Sequence, residues 1–280
     1  MSEIALRAVN ILPQTLVCGK GKIRIKKPSQ DRSVKVFLIS MVVVSILSFI
    51  PLQVDWLKLL GRFSDLGIIF GKLLHLSLKN FDFTLYAFLE TVSITILATI
   101  YSVILGLVFG AFTARNLVKN RIITTFLSSF FTFLRAVPTP VWVLLALVCL
   151  GMGPVPGVVG LSIHAVAFFA KAFAQSFEDV SPEAIEALEV TGASRRQIFF
   201  SAVLPSALSQ IIAWCGLRFE INFKESAILG MVGAGGIGFA ITTSLQGYEY
   251  GTAGLAILLV FVYAYFIEFV FTQIKKKCIQ

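Results

Sequence analysis

Long runs of hydrocarbon side chains limit what this chain can fold into more than any other feature. The clearest spans about residues 85–114, and others occupy 36–52, 158–177 and 252–272. A helix needs roughly 20 mainly apolar residues to cross about 30 Å of hydrocarbon. Of 280 residues, 57% are hydrophobic and 14% charged, and the mean hydropathy is +0.87. A soluble domain of this length needs more polar surface, so lipid is the expected solvent. The expected fold is all-α: a polytopic membrane bundle of about six transmembrane helices.

Two runs are interrupted. Residues 122–134 form an amphipathic stretch that stops or kinks at Arg135-Ala136-Val137-Pro138-Thr139-Pro140, after which 141–150 complete a crossing. A fifth run begins after Pro205 but carries Arg218, Glu220, Lys224 and Glu225. Between the first two runs, residues 53–82 mix Leu57, Leu60, Ile68 and Ile69 with nearly balanced charges, predicting one or two short helices at the outer interface.

Charge placement orients the bundle. Of the net charge of +9, Arg7, Lys20, Lys22, Arg24, Lys26, Lys27, Arg32 and Lys35 lie in the first 35 residues; Arg115, Lys119 and Arg121 follow the second run, and Lys275-Lys276-Lys277 close the last. Six crossings with both termini in the cytoplasm put every dense cluster on one side. The basic N-terminal stretch has no aromatic interleaving and leads directly into a span, which disfavours a nucleic-acid tail. It is also too long for the charged region of a cleavable signal peptide. The four cysteines are scattered with no C-x-x-C pair, so neither a disulfide framework nor a zinc site is supported.

Between the fourth and fifth runs lies a polar interruption, residues 178–205. Ser181 and Pro182 fit the N-cap and first helical position, and Glu183 and Glu186 lie near the positive end of the helix dipole. Ala184, Leu188 and Thr191 fall on one face, and Gly192 ends the helix. A second short helix carrying Arg195 and Arg196 leads to Pro205. The pattern E-A-L-x3-G-x9-A-x-L-P, from Glu186-Ala187-Leu188 through Gly192 to Leu204-Pro205, resembles the EAA loop of ABC-importer permeases. Leu188 stands where that family usually has a second alanine, and Ala202 where isoleucine is usual. The resemblance implies that Glu186, Ala187, Gly192, Leu204 and Pro205 form the loop that docks onto a separate ATPase.

Gly233-Ala234-Gly235-Gly236-Ile237-Gly238 satisfies G-x-G-x-x-G, but dinucleotide binding needs that string between a strand and a helix. Flanked by membrane runs, these glycines are read as close-packing residues or as a non-helical element lining a path. The charges before them need partners or water, because a charge at bilayer centre costs on the order of 2.5–3.5 kcal/mol. Arg218 with Asn222, and Glu220 with Lys224, are spaced i, i+4 for mutual neutralisation. The alternative role is favourable passage for an anion past Arg218 and Lys224. His164 and Lys171, two turns apart, join Arg218, Glu220, Lys224, Glu225 and the glycines as candidates for the translocation path or gate; the alternatives are a hydrogen-bonded core histidine and a lysine snorkelling towards the cytoplasm. Glu90 and Glu268 are read as carboxylates at headgroup level.

The text from Arg218-Phe219-Glu220 through the glycine string, with Ile163-His164 and Lys171, resembles the phosphonate branch of importer permeases; methionine-type permeases share the glycines. This resemblance covers roughly residues 80–275. It implies an ATP-driven importer subunit for a phosphonate, phosphite or phosphate ester, with a different solute such as methionine as the alternative. A secondary transporter or channel belongs to another class, and neither inverted symmetry nor a catalytic cluster is visible. The expected partners are a second copy, a cytoplasmic ATPase dimer and an extracytoplasmic solute-binding protein. The chain has no G-x-x-x-x-G-K-[ST], so ATP and Mg are expected on the ATPase, with no cofactor or metal on this chain. The expected organisation is a basic tail (1–35), a first span with an interfacial segment (36–82), a permease core (83–274) containing the loop 178–205, and a basic tail (275–280).

Overall fold

The computed structural model describes residues 18–19, 22–23, 28–51 and 55–279. They form two compact units divided after Leu66. In the first, β1 (Cys18–Gly19) and β2 (Lys22–Ile23) make a two-residue antiparallel ladder, followed by α1 (Pro28–Ser48) and α2 (Trp56–Gly61). The carboxylate of Asp55 caps α2 through Lys58 N (3.2 Å) and pairs with Lys58 Nζ (2.9 Å), which holds it below the usual carboxylate range. Helix α3 (Phe63–Leu74) runs across the division.

The second unit is helical throughout its described residues: α4 (Phe81–Thr113), α5 (Arg121–Ala136), α6 (Thr139–Leu150), α7 (Pro154–Glu178), α8 (Pro182–Val190), α9 (Arg195–Ile198), α10 (Leu204–Leu229), α11 (Gly236–Gln246) and α12 (Tyr250–Ile279). Helix α4 packs mainly on α7 through small residues. A Cβ on Gly110 would sit 2.9 Å from that of Phe173, and Gly106 lies as close to Phe169. Lipid gives little hydrophobic reason for helices to associate, so close backbone approach supplies the dispersion contacts that do. Phe169, Phe173 and Phe177 are fully buried beside this seam. The hydroxyls of Thr91, Thr95, Thr99 and Ser102 line the inner face of α4, each donating to the carbonyl four residues back.

The structure revises several expectations. Four helical stretches among the described residues are long and apolar enough to cross a membrane: Phe81–Thr113, Pro154–Glu178, Arg195–Val232 and Tyr250–Ile274; α5 and α6 reach that length only when taken together as one broken stretch. These last two meet at 85°, a far sharper break than a kink within one crossing. Pro138 causes it: the residue before a proline is pushed out of the α region, and Val137 adopts ψ 123°. Helix α1 starts at Pro28, taking up Arg32 and Lys35, and stops at Ser48. Helix α12 continues to Ile279, so residues 275–279 extend a helix instead of forming a separate tail. Arg7, Lys20, Arg24, Lys26 and Lys27 lie outside the described residues.

Candidate functional site

The polar interruption folds as its local chemistry dictates. Pro182 opens α8 at its first turn, with Ser181 at the N-cap but making no side-chain capping bond. Gly192 closes it at φ 77°, with its N–H on Glu189 O (3.0 Å) and that of Ala193 on Leu188 O (3.1 Å). This paired Schellman arrangement needs a left-handed residue, which glycine adopts without Cβ strain. Ile185 and Leu188 turn inward onto the cluster around Phe177 and Ile198, whereas Ala184 and Thr191 are exposed. The inward face is therefore Ile185 and Leu188, because the two-turn helix presents only one i, i+3 pair to the body. Glu186, Ala187 and Val190 point outward, Val190 being 89% exposed.

A capping box between Ser194 and Gln197 starts α9, and Arg195 Nη1 donates to Leu117 O (3.0 Å) beyond the end of α4. Arg115 N donates to Glu178 Oε1 (2.8 Å) at the same end of the bundle. The helix then passes through Pro205 instead of restarting after it. One π turn, Phe199–Val203, precedes Leu204 and absorbs the hydrogen bond that proline cannot donate. Leu204 packs against the core, and Pro205 is exposed.

The glycine string is a helix break. Gly233 (φ 108°), Gly235 (φ 74°) and Gly236 (φ 73°) take the chain from the 3-10 turn Gly230–Val232 into α11. A side chain at Gly238 would run into the Ala227 carbonyl. Two residues of α4 cap the new helix: Glu90 Oε2 accepts from Gly236 N and Thr91 Oγ1 from Ile237 N, both at 2.7 Å. Glu90 is thus half-buried between helices and not a free headgroup-level carboxylate. The available signal was an acid within an apolar run, matched by a glycine-rich helix start that attracts negative charge.

The charge cluster divides in two. Lys224 and Glu220 pair at 2.5 Å as the spacing predicts, with the Lys224 side chain 51% exposed. Arg218 does not pair with Asn222, whose Nδ2 instead donates to Thr99 Oγ1 of α4 (3.0 Å). Arg218 is 3% exposed, and its Nη2 reaches Glu225 Oε2 (3.1 Å) and His164 Nδ1 (3.0 Å). Arginine has only donors, so Nδ1 accepts and His164 is the neutral Nε2–H tautomer here. The guanidinium carbons of Arg218 and Arg135 lie 5.6 and 5.5 Å from the Phe168 ring centroid. Lys171 belongs to neither group and does not snorkel; its Nζ donates to Ser128 Oγ (2.9 Å) and Thr132 Oγ1 (3.0 Å) of α5.

Residues 106–276 match the family described as the binding-protein-dependent transport system inner membrane component. The chain belongs to this family. As an inner membrane component with several membrane-capable helices, it is a multi-pass membrane protein. It is 30% identical over 249 residues to a phosphate-import permease protein PhnE of Mycolicibacterium smegmatis, covering 86% of this chain and 46% of that protein, so it spans about half of that relative. It is 31% identical over 206 residues to the phosphite transport system permease protein PtxC of Stutzerimonas stutzeri, covering 74% of each. An inward-facing structure of the MetNI methionine ABC transporter shares the fold, with a TM-score of 0.62 over 72% of this chain and 99% of that one at 22% identity. The family match therefore runs from within α4 to within α12.

Proposed function

We propose that this permease is the transmembrane subunit of an ATP-driven ABC importer for a small phosphorus oxyanion: a phosphonate, phosphite or phosphate ester. The observation that carries the reading is α8. A nine-residue helix stands at one end of the bundle with its apolar side held by Ile185 and Leu188, leaving Glu186, Ala187 and Val190 free. A helix so placed is a rigid knob for a soluble groove, and the motif from Glu186 to Pro205 is the one expected to dock the ATPase. ATP and Mg bind that partner, and hydrolysis occurs there. A second copy of the chain completes the pathway, an extracytoplasmic binding protein delivers the solute, and both termini are cytoplasmic.

The oxyanion assignment draws on the phosphate and phosphite named for the two permeases above and on the buried cation Arg218. Glu220 and Lys224 neutralise each other, which leaves Arg218, Glu225, His164 and the break at Gly233, Gly235, Gly236 and Gly238 as pathway or gate residues. The test is uncoupling. In proteoliposomes with the ATPase and binding protein, Gly192→Pro and Glu186→Lys are expected to preserve insertion and ATP hydrolysis while uptake of labelled phosphite falls at least about tenfold. Normal uptake by both variants rejects docking at α8.

A further inference from the structure

A cavity of 470 Å³ between α7, α10 and α12 is a poor anion site because Asp179, Glu220 and Glu268 line it. The charge an oxyanion needs lies elsewhere. Arg218, Asn222, Glu225 and Ser226 recur at i, i+4, i+7 and i+8 and so share one face of α10. Arg218 Nε and Ser226 Oγ on that face are buried and make no hydrogen bond among the described residues. Arginine offers its donors as a planar fork suited to two-point recognition of an oxyanion; here Nη2 is used and Nε is not.

Glu225 is the weakly held member of the group. It meets Arg218 through one oxygen and its side chain is 28% exposed, against 3% for Arg218. Arg135 is exposed at the α5–α6 bend and shares the Phe168 ring with Arg218, so a second cation stands near the cluster. A buried guanidinium is costly when unpaired but is indifferent to whether a carboxylate or a phosphorus oxyanion supplies the negative charge.

We propose that Arg218 and Arg135 form an oxyanion subsite in which the Glu225 carboxylate holds one arm of the Arg218 fork until the phosphonate, phosphite or phosphate group of the solute displaces it. No covalent step is involved; one anion replaces another on the guanidinium, and Glu225 swings aside. This rests on the importer reading and specifies which cation on the pathway touches the solute. Lys224, already neutralised by Glu220, is excluded.

The test uses the permease–ATPase complex in lipid nanodiscs without the binding protein, titrated with methylphosphonate and followed by phosphorus NMR. Wild type is expected to show weak saturable binding. Glu225→Gln removes the internal competitor and is expected to tighten it roughly tenfold. The charge-neutral double variant Arg218→Gln with Glu225→Gln leaves no buried ion unpaired and is expected to assemble, yet to bind roughly ten- to a hundredfold more weakly than wild type. Unchanged or weaker binding by Glu225→Gln, or wild-type binding by the double variant, overturns the subsite. If the wild-type complex imports phosphite with its binding protein while these variants behave so, the subsite falls and the importer reading stands. If that complex imports only uncharged or cationic solutes, the oxyanion reading falls and takes the subsite with it.

Discussion

The α8–α9 segment and the seam joining α4, α7 and α10 are both polar features in an apolar protein, yet they are built differently. In the first, backbone groups satisfy one another locally: the glycine turn at Gly192 and the Ser194 capping box use partners within five residues. In the second, several polar groups are held by another helix. Glu90 reaches Gly236 across 146 positions, Asn222 reaches Thr99 across 123, and Arg218 reaches His164 across 54. A local motif can stand exposed and still keep its shape. A tertiary polar network holds only while the helices around it stay together, so changes there should register first in stability.

That contrast can be tested by substitution. Arg218→Ala alone should have the largest effect, about 3 kcal/mol of destabilisation, because it strips Glu225 and His164 of their shared donor. Thermal unfolding in detergent measures it, and a loss near zero would mean the cluster is loosely hydrated. Glu90→Ala leaves the Gly236 amide without its acceptor and should cost about 1–3 kcal/mol, with Glu90→Gln retaining part of the cap. Equal losses for the two variants would show that packing, not the cap, matters at this position.

At the exposed end, Gly192→Ala meets no atom within 4 Å, so only the left-handed backbone opposes it, at about 1–2 kcal/mol. A stabilising effect would show that the turn is not maintained in the membrane.

The smallest effect concerns the opposite end of the bundle. Lys79 donates to Glu249 (2.9 Å) and, by that bond and its charge, holds the Glu249 carboxyl below its ordinary range; Asn80 adds a second donor (3.2 Å). A depressed carboxylate contributes stability above its unfolded pKa and loses it as pH falls through the folded value. Hydrogen exchange of residues 247–252 should therefore quicken in acid below the ordinary glutamate range, and Glu249→Gln should abolish that dependence. The same acid response in Glu249→Gln would assign it to another group.

How far the sequence could be read follows the same division. The start of α8 at Pro182, its end at Gly192 and the Glu220–Lys224 pair were legible because each depends on neighbours a few residues away. The capping role of Glu90, the Asn222–Thr99 bond and the transfer of Arg218 from Asn222 to Glu225 and His164 were not, because no periodicity along one helix states which helix faces it. The α5–α6 corner lay between the two cases: Pro138 announced a break, but 85° depends on how α6 packs on α7, where Val143 presses against Gly160. The inward face of α8 was misjudged by one position, since a nine-residue helix carries too few turns for a stripe to reveal itself.

The most direct test asks whether the chain moves solute without a motor. Labelled phosphite uptake would be followed in proteoliposomes containing the permease alone and the permease with its ATPase and binding protein, each with and without ATP. The account predicts accumulation only when all three proteins and ATP are present. Saturable uptake by the permease alone, indifferent to nucleotide, would contradict it.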